Sequence, residues 1–391
     1  MKKLLTLIIP ILLCSVLVLA GCSEPAPAPT PTPSSTPTST PSSPSTSTPT
    51  SSPTSEPTSA PEPTAEPEPT SEPEEVITLR YACMDSETSW TAEYSLMPWI
   101  EAVEAATGGR VQFEVYWSNT LCKPMDNWEA VKSGIADAGV CAMPFWPGLA
   151  PLSDVISLPA LGIVSSEQGG AVFWNLYEKY PSIRDEFKDV HMLFSGVSNP
   201  NIFITVDKPV KTIDDIEGMK IRVTGGPPTD YLKSLDASPM LVAMVDVYTN
   251  LQKGVIDGVL SSWTSVESMN FHEVANYVSE VPVYSTYAIR AMNVDTWNSL
   301  PPDIQEAITS VSGYERSVLF SKTQFDDHVD VVREKGYGMN VYTPTAEELA
   351  AWQEAAYPIW EKWVSDMEEA GHPEAQEILD TALELVETYR P

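Results

Sequence analysis

From residue 76 onward, apolar and polar positions recur with two periods. VITLRYACM (76–84) and RVQFEVYW (110–117) change character at every second residue, the mark of half-buried strands. Between them, Thr91 to Ala106 carries helical spacing and stops at Thr107-Gly108-Gly109. A second helix is predicted from Met125 to Ser133, closed by Gly134. ADAGVCAM (136–143) reads as a short apolar strand that runs into PFWPG, a turn expected to expose two aromatic rings. DVHMLFSGV, NIFITV and KIRVTGG (220–226) follow as strands, the last running into a turn at its glycines, and PTDYLKSL and DVYTNLQKG as helices. VIDGVLSSW reads as a strand ending at Trp263. This alternation predicts an α/β fold with a mixed, largely parallel sheet in each of two lobes.

The pattern becomes helical toward the end of the chain. Pro301 to about Lys335 is mostly helical, with a double proline suited to a first turn. A further helical pair starts after Thr343, with Thr343 or Thr345 as its cap before Glu347 and Glu348. Trp352, Tyr357, Trp360 and Trp363 fall at helical spacing and read as core packing rather than a ligand platform.

The first 75 residues follow neither period. MKK and the apolar run LLTLIIPILLCSVLVLA have the form of a secretory signal. The run closes on LAGC, with Cys22 last. This resembles a bacterial lipobox, which implies acylation of Cys22 and cleavage before it; an ordinary signal peptide or an uncleaved anchor is the alternative. Residues 23–75 are almost wholly Pro, Ser, Thr, Ala and Glu and cannot bury enough apolar surface to fold. They are expected to form a tether with a reach of up to ~150 Å, at ~3.1 Å per residue. The expected division is therefore 1–21 signal, 22–75 lipidated cysteine and tether, and 76–391 folded region. No later run is long and apolar enough to span a membrane.

The formal net charge of -32 argues against nucleic acid as a partner, because phosphate binding needs clustered Lys and Arg. Cys83, Cys122 and Cys141 have no CxxC or histidine spacing; they read as small buried residues, or as one disulfide and one free thiol. None of the four histidines lies in HExxH or beside a plausible nucleophile, and GxSxG, GxGxxG and GxxxxGK[ST] are absent. No catalytic residue, metal or cofactor is expected.

Arg222 sits at the mouth of the loop that Gly225-Gly226 opens, and reads either as a solvated edge residue or as an anion ligand at a strand end. Its surroundings bear on the choice. The motif DIEGMKIRV, then Leu235-Asp236-Ala237-Ser238-Pro239, then DVYTNLQKGVIDG resemble the substrate-binding proteins of tripartite ATP-independent periplasmic (TRAP) transporters, the DctP-like family. ATGGRVQFEVYWSNTL, VKSGIADAGV, PLSDVISLPALG, EVANYV and WNSLPP carry the resemblance over nearly all of 76–365.

The resemblance implies two α/β lobes with a ligand cleft between them and a long C-terminal helix spanning both. Lobe I would comprise about 76–200 and part of 287–325, and lobe II about 201–286 and the C-terminal helices, with crossovers near 200 and 285. Arg222 would pair with the carboxylate of a small organic acid, and the membrane subunits of a TRAP transporter would be partners. A ligand sensor docking on a signalling receptor is the alternative. The chain would sit outside the cytoplasm, lipid-anchored to the outer face of the cytoplasmic membrane. Two departures from the family pattern are visible. The strand NIFITV lacks the second arginine of many relatives, whose place Asn201, Ile202 and Phe203 bracket, and Ser261 stands where many have Asn. The pocket is therefore expected to be less cationic and more apolar, with Trp263, Trp146, Trp90 and Met143 as candidate lining; each tryptophan could equally be core.

Overall fold

The computed structural model describes residues 76–391, so the expected signal, Cys22 and the tether lie outside the described residues. Eleven strands occur among the described residues. β1 (Ile77–Ala82), β2 (Val111–Tyr116), β3 (Ala138–Ala142) and β4 (Val190–Val197) come first. β5 (Asn201–Thr205), β6 (Lys220–Val223), β7 (Ser238–Leu241), β8 (Gly258–Ser261) and β9 (Tyr277–Tyr284) follow. β10 (Tyr287–Asn293) and β11 (Asn340–Tyr342) complete the set.

They form two sheets, in the orders β2-β1-β3-β10-β4 and β11-β9-β5-β8-β6-β7. In the first sheet only β10 runs against its neighbours, and in the second only β5 does. These two antiparallel strands are where the chain changes lobe. It leaves β4 for β5 through Ser198–Pro200 and returns from β9 to β10 through Ser285 and Thr286. The result is the mixed α/β, two-lobed architecture that the alternation predicts.

Alternation along β5 shows how the second sheet is packed. Ile202 and Ile204 join a core with Val247, Leu251, Val266 and Val329, whereas Phe203 faces the other way, 5.4 Å from the Trp352 ring. The first sheet is packed by Trp99, which lies 5.1 Å from Phe194 and is fully buried. The three described cysteines are free thiols, and Cys83 and Cys141 are buried.

Two helical devices join the lobes. The run Gly313–Lys335 packs its first part on the helix Ser166–Lys179 and β4, and its last part on the helix Trp263–Ser268 of the second lobe. Midway, Lys322–Asp326 forms a π-turn, a local widening that often marks functional sites. At the chain end, Trp352 accepts a bond from Tyr231 Oη in the second lobe, and the helix Ala375–Thr388 packs on Ser166–Lys179 in the first. The cap of Ala346–Glu354 is Thr345, in a reciprocal capping box with Glu348. Trp352, Trp360 and Trp363 are buried, but Tyr357 is exposed and stands outside the expected core stripe.

Two further expectations are corrected. Trp263 does not end a strand: β8 stops at Ser261, and Trp263 opens a helix. PFWPG exposes Phe145 but not both rings; the Trp146 indole packs 6.4 Å from Trp128 and donates to Met125 O at 3.0 Å.

Candidate functional site

Between the lobes lies a cleft of 390 Å³. Its walls are strand ends and the turns after them, the position where open α/β sheets present ligand sites. From the second lobe come Asn201 at the start of β5, Arg222 and Thr224 at the end of β6, and Ser261 at the end of β8. From the first lobe come Asp85 after β1 and Arg290 in β10. The π-turn adds Gln324 and Phe325 from the helix that bridges both lobes.

Arg222 is 6% exposed. Its Nε donates to Val242 O at 3.0 Å, which fixes the direction of the guanidinium. Nη1 is buried without a hydrogen-bond partner. Burial lowers the pKa of this guanidinium from its usual value, with the Tyr284 phenol opposing the shift. A buried cation with an unused donor costs free energy until an anion pairs with it. Near it, the Asn201 amide is held by a bond from Nδ2 to Tyr284 O at 3.1 Å, and Ser261 Oγ donates to Ser265 Oγ at 2.7 Å.

Arg290 escaped the sequence reading. It is 3% exposed and lies with its guanidinium carbon 3.8 Å from the centre of the Phe320 ring, and Nη2 donates to Gln324 Oε1 at 3.1 Å. Gly196 on β4 makes this possible: a Cβ there would meet Arg290 Nη1 at 3.1 Å and Phe320 Cδ1 at 3.1 Å. Burial lowers the Arg290 pKa, while Tyr81 and Asp85 favour its charge. The cleft therefore has a second arginine, supplied by the opposite lobe, and the expectation of a less cationic pocket is corrected. A single arginine in the apolar strand YAIRAMN was the available signal, since a buried charge is rarely without purpose.

The structure brings Arg222, Asn201 and Ser261 together and separates the other candidates from the cleft. Trp263 is buried on the far side of the second sheet, where Nε1 donates to Glu280 Oε1 at 2.9 Å. Trp146 packs on Trp128, as above. Trp90 stacks on His328 with ring centres 4.7 Å apart, and its Nε1 donates to Thr323 O at 2.8 Å. It holds the π-turn and is not part of the cleft wall. Met143 is buried and lines a smaller neighbouring cavity with Asp154 and Tyr284. The rings that do reach the cleft are those of Phe145, Tyr287 and Phe325. Among the described residues no group of three or more His, Cys, Asp or Glu could hold a metal ion.

The profile described as DctP, bacterial extracellular solute-binding protein, family 7, matches residues 85–366. A solute-binding protein of Chromohalobacter salexigens is 26% identical over 290 residues, covering 73% of this chain and 83% of the relative. A crystal structure of a TRAP solute-binding protein from Rhodoferax ferrireducens T118, in complex with copurified benzoate, is similar with a TM-score of 0.74 at 27% identity, covering 80% of this chain and 98% of that one. Another, from Bordetella bronchiseptica with bound (R)- and (S)-mandelate, has a TM-score of 0.71 at 26% identity, covering 80% and 99%.

Proposed function

The chain belongs to family 7 of the bacterial extracellular solute-binding proteins, the TRAP receptors, and from that premise we propose that it captures a small organic acid by its carboxylate and delivers it to TRAP membrane subunits. It is a binding protein of an extracytoplasmic family, not an enzyme. The observation that carries the proposal is Arg222, buried in the cleft wall with Nη1 unpaired. Because Nε is committed to Val242, the carboxylate approaches the terminal nitrogens of the guanidinium. That fork matches two carboxylate oxygens, which an ammonium does not. The benzoate and mandelate bound to the two relatives, both monocarboxylates, support the same chemistry.

Capture follows from the topology. The lobes are joined by the β4–β5 and β9–β10 crossings and by the π-turn of the bridging helix. Rotation about these few residues closes the cleft on the solute and excludes water, which strengthens the arginine–carboxylate pair. Asn201 and Ser261 orient the solute beside Arg222. Acylation at Cys22 anchors the receptor to the outer face of the cytoplasmic membrane, and the LAGC sequence supports this. The proposal is tested by a thermal-shift screen of organic acids against their amides and alcohols. Stabilisation by acids alone is expected; equal stabilisation by the amides contradicts it.

A further inference from the structure

The cleft offers a second unused group on the lobe opposite Arg222. Asp85 lines it from the turn after β1, partly exposed. Among the described residues, the one side-chain hydrogen bond its carboxylate accepts is a long one from Cys83 Sγ at 3.9 Å. Arg290 is close enough to act on its charge but forms no ion pair with it. Burial nonetheless raises the Asp85 pKa, with Arg290 and Cys83 opposing. One wall thus carries a donor without an acceptor, and the other an acceptor with almost no donor. If the lobes close on a solute that meets only Arg222, the Asp85 carboxylate loses water and gains nothing, which is costly. A solute that also donates to Asp85 removes that cost.

The charges decide what kind of donor. Two arginines and one aspartate line the cleft, leaving one positive charge in excess. Asp85 accompanies Arg290, so the excess belongs to Arg222. A monoanion neutralises it. A dicarboxylate overshoots and brings a like charge toward Asp85, whereas an amino acid, with no net charge, leaves the excess in place. The donor is therefore an uncharged group, of which a hydroxyl is the smallest. The same lining also offers apolar surface from Met84, Val140, Phe145, Met244 and Phe325.

Resting on the carboxylate reading above, we propose that the solute is a monocarboxylic acid with a hydroxyl group remote from the carboxylate. The carboxylate pairs with Arg222, the hydroxyl donates to Asp85, and a compact apolar body lies between the lobes. A site that hydrogen-bonds a hydroxyl discriminates strongly against the analogue that lacks it.

The test uses the full mature chain and calorimetric titration with matched probes: benzoate against 3- and 4-hydroxybenzoate, and butyrate against 4-hydroxybutyrate, with isophthalate as a dianion. In at least one pair the hydroxy acid is expected to bind roughly ten-fold or more tighter than its parent, since bonds to charged groups are the strong ones. Asp85→Ala should bring that ratio close to one, and isophthalate should bind more weakly than benzoate. Parents that bind as well as every hydroxy acid, an unchanged ratio in Asp85→Ala, or isophthalate as the tightest probe each overturn the proposal. Should Asp85→Ala not fold, Asp85→Asn is read by the same ratio, which must fall. Loss of benzoate binding in Arg222→Ala upholds the carboxylate reading even when the hydroxyl reading fails; no binding of any acid overturns both.

Discussion

Arg222 Nε donates to Val242 O at 3.0 Å, and the same guanidinium leaves Nη1 buried without a partner. The bond orients the cation, and the missing partner leaves it ready for an anion. Val242 follows β7, the strand paired with β6, so the anion site is set by the edge of the second sheet. Preorganisation of this kind lowers the entropy lost when the solute binds.

The bridging helix is pinned to the first lobe by Asp326. Its Oδ1 accepts from Ser166 N at 2.9 Å and from Asn199 Nδ2 at 2.6 Å, and its Oδ2 accepts from Glu167 N at 2.8 Å. Two of these donors belong to the N-terminus of Ser166–Lys179, where a carboxylate is favoured. Asp326→Ala leaves them unpaired and is expected to destabilise the protein by roughly 1–3 kcal/mol. Urea denaturation midpoints of both proteins check this; coincident curves contradict it.

Two buried acids should make stability fall as pH rises from about 4 to about 7. Burial raises Asp154 to about 6 and Glu186 to about 7. Both folded values lie above the unfolded ones, near ~4. Below ~4 each acid is protonated in both states and costs nothing; above about 7 each is charged in both, and the burial penalty is complete. Stability contributed by these groups is therefore lost between about pH 4 and about pH 7. Asp154→Asn retains an Oδ1 acceptor for Tyr287 Oη, 3.2 Å away, and should make the decline shallower. Thermal midpoints at pH 5, 6 and 7.5 measure the slope, and an identical slope in the variant refutes the assignment.

The proposed anchoring rests on one residue, Cys22. Cys22→Ser removes the thiol that a lipid-transfer reaction needs, so the variant is expected in the soluble fraction of cells where the wild type sediments with membranes. Fractionation at high salt is the check, and a variant that stays membrane-bound contradicts the lipoprotein reading.

Much of the scaffold was legible because alternation is a local property. RVQFEVYW and KIRVTGG contain strands, β2 and β6, each shorter than the predicted run, and Arg222 stands near the end of β6 facing the cleft. What could not be read depends on packing at a distance. β7 is a short edge strand, SPML, with no buried residue to set its period. Trp263 lies two residues after Ser261, so an extended strand would have placed both on one face; the helix that starts at Trp263 turns about 100° per residue and carries the indole away. Arg290 reaches the cleft because Gly196, nearly a hundred residues earlier, has no side chain, and because Phe320 supplies a ring to lie on. Neither condition shows near residue 290, where the lone charge in the apolar run YAIRAMN is the local sign.

The most direct test of the central claim is calorimetric titration of wild type, Arg222→Ala and Arg222→Lys with an acid that binds, benzoate being the first probe. Truncating one partner of a buried charge pair costs roughly 2–5 kcal/mol. Affinity should therefore fall by about 30-fold to several thousand-fold in Arg222→Ala. Arg222→Lys should also bind more weakly than wild type, because an ammonium lacks the planar fork. The amide of the same acid should lose most of its disadvantage in Arg222→Ala. Equal affinity of wild type and Arg222→Ala for the acid would contradict the account and return Arg222 to a purely structural place at the end of β6.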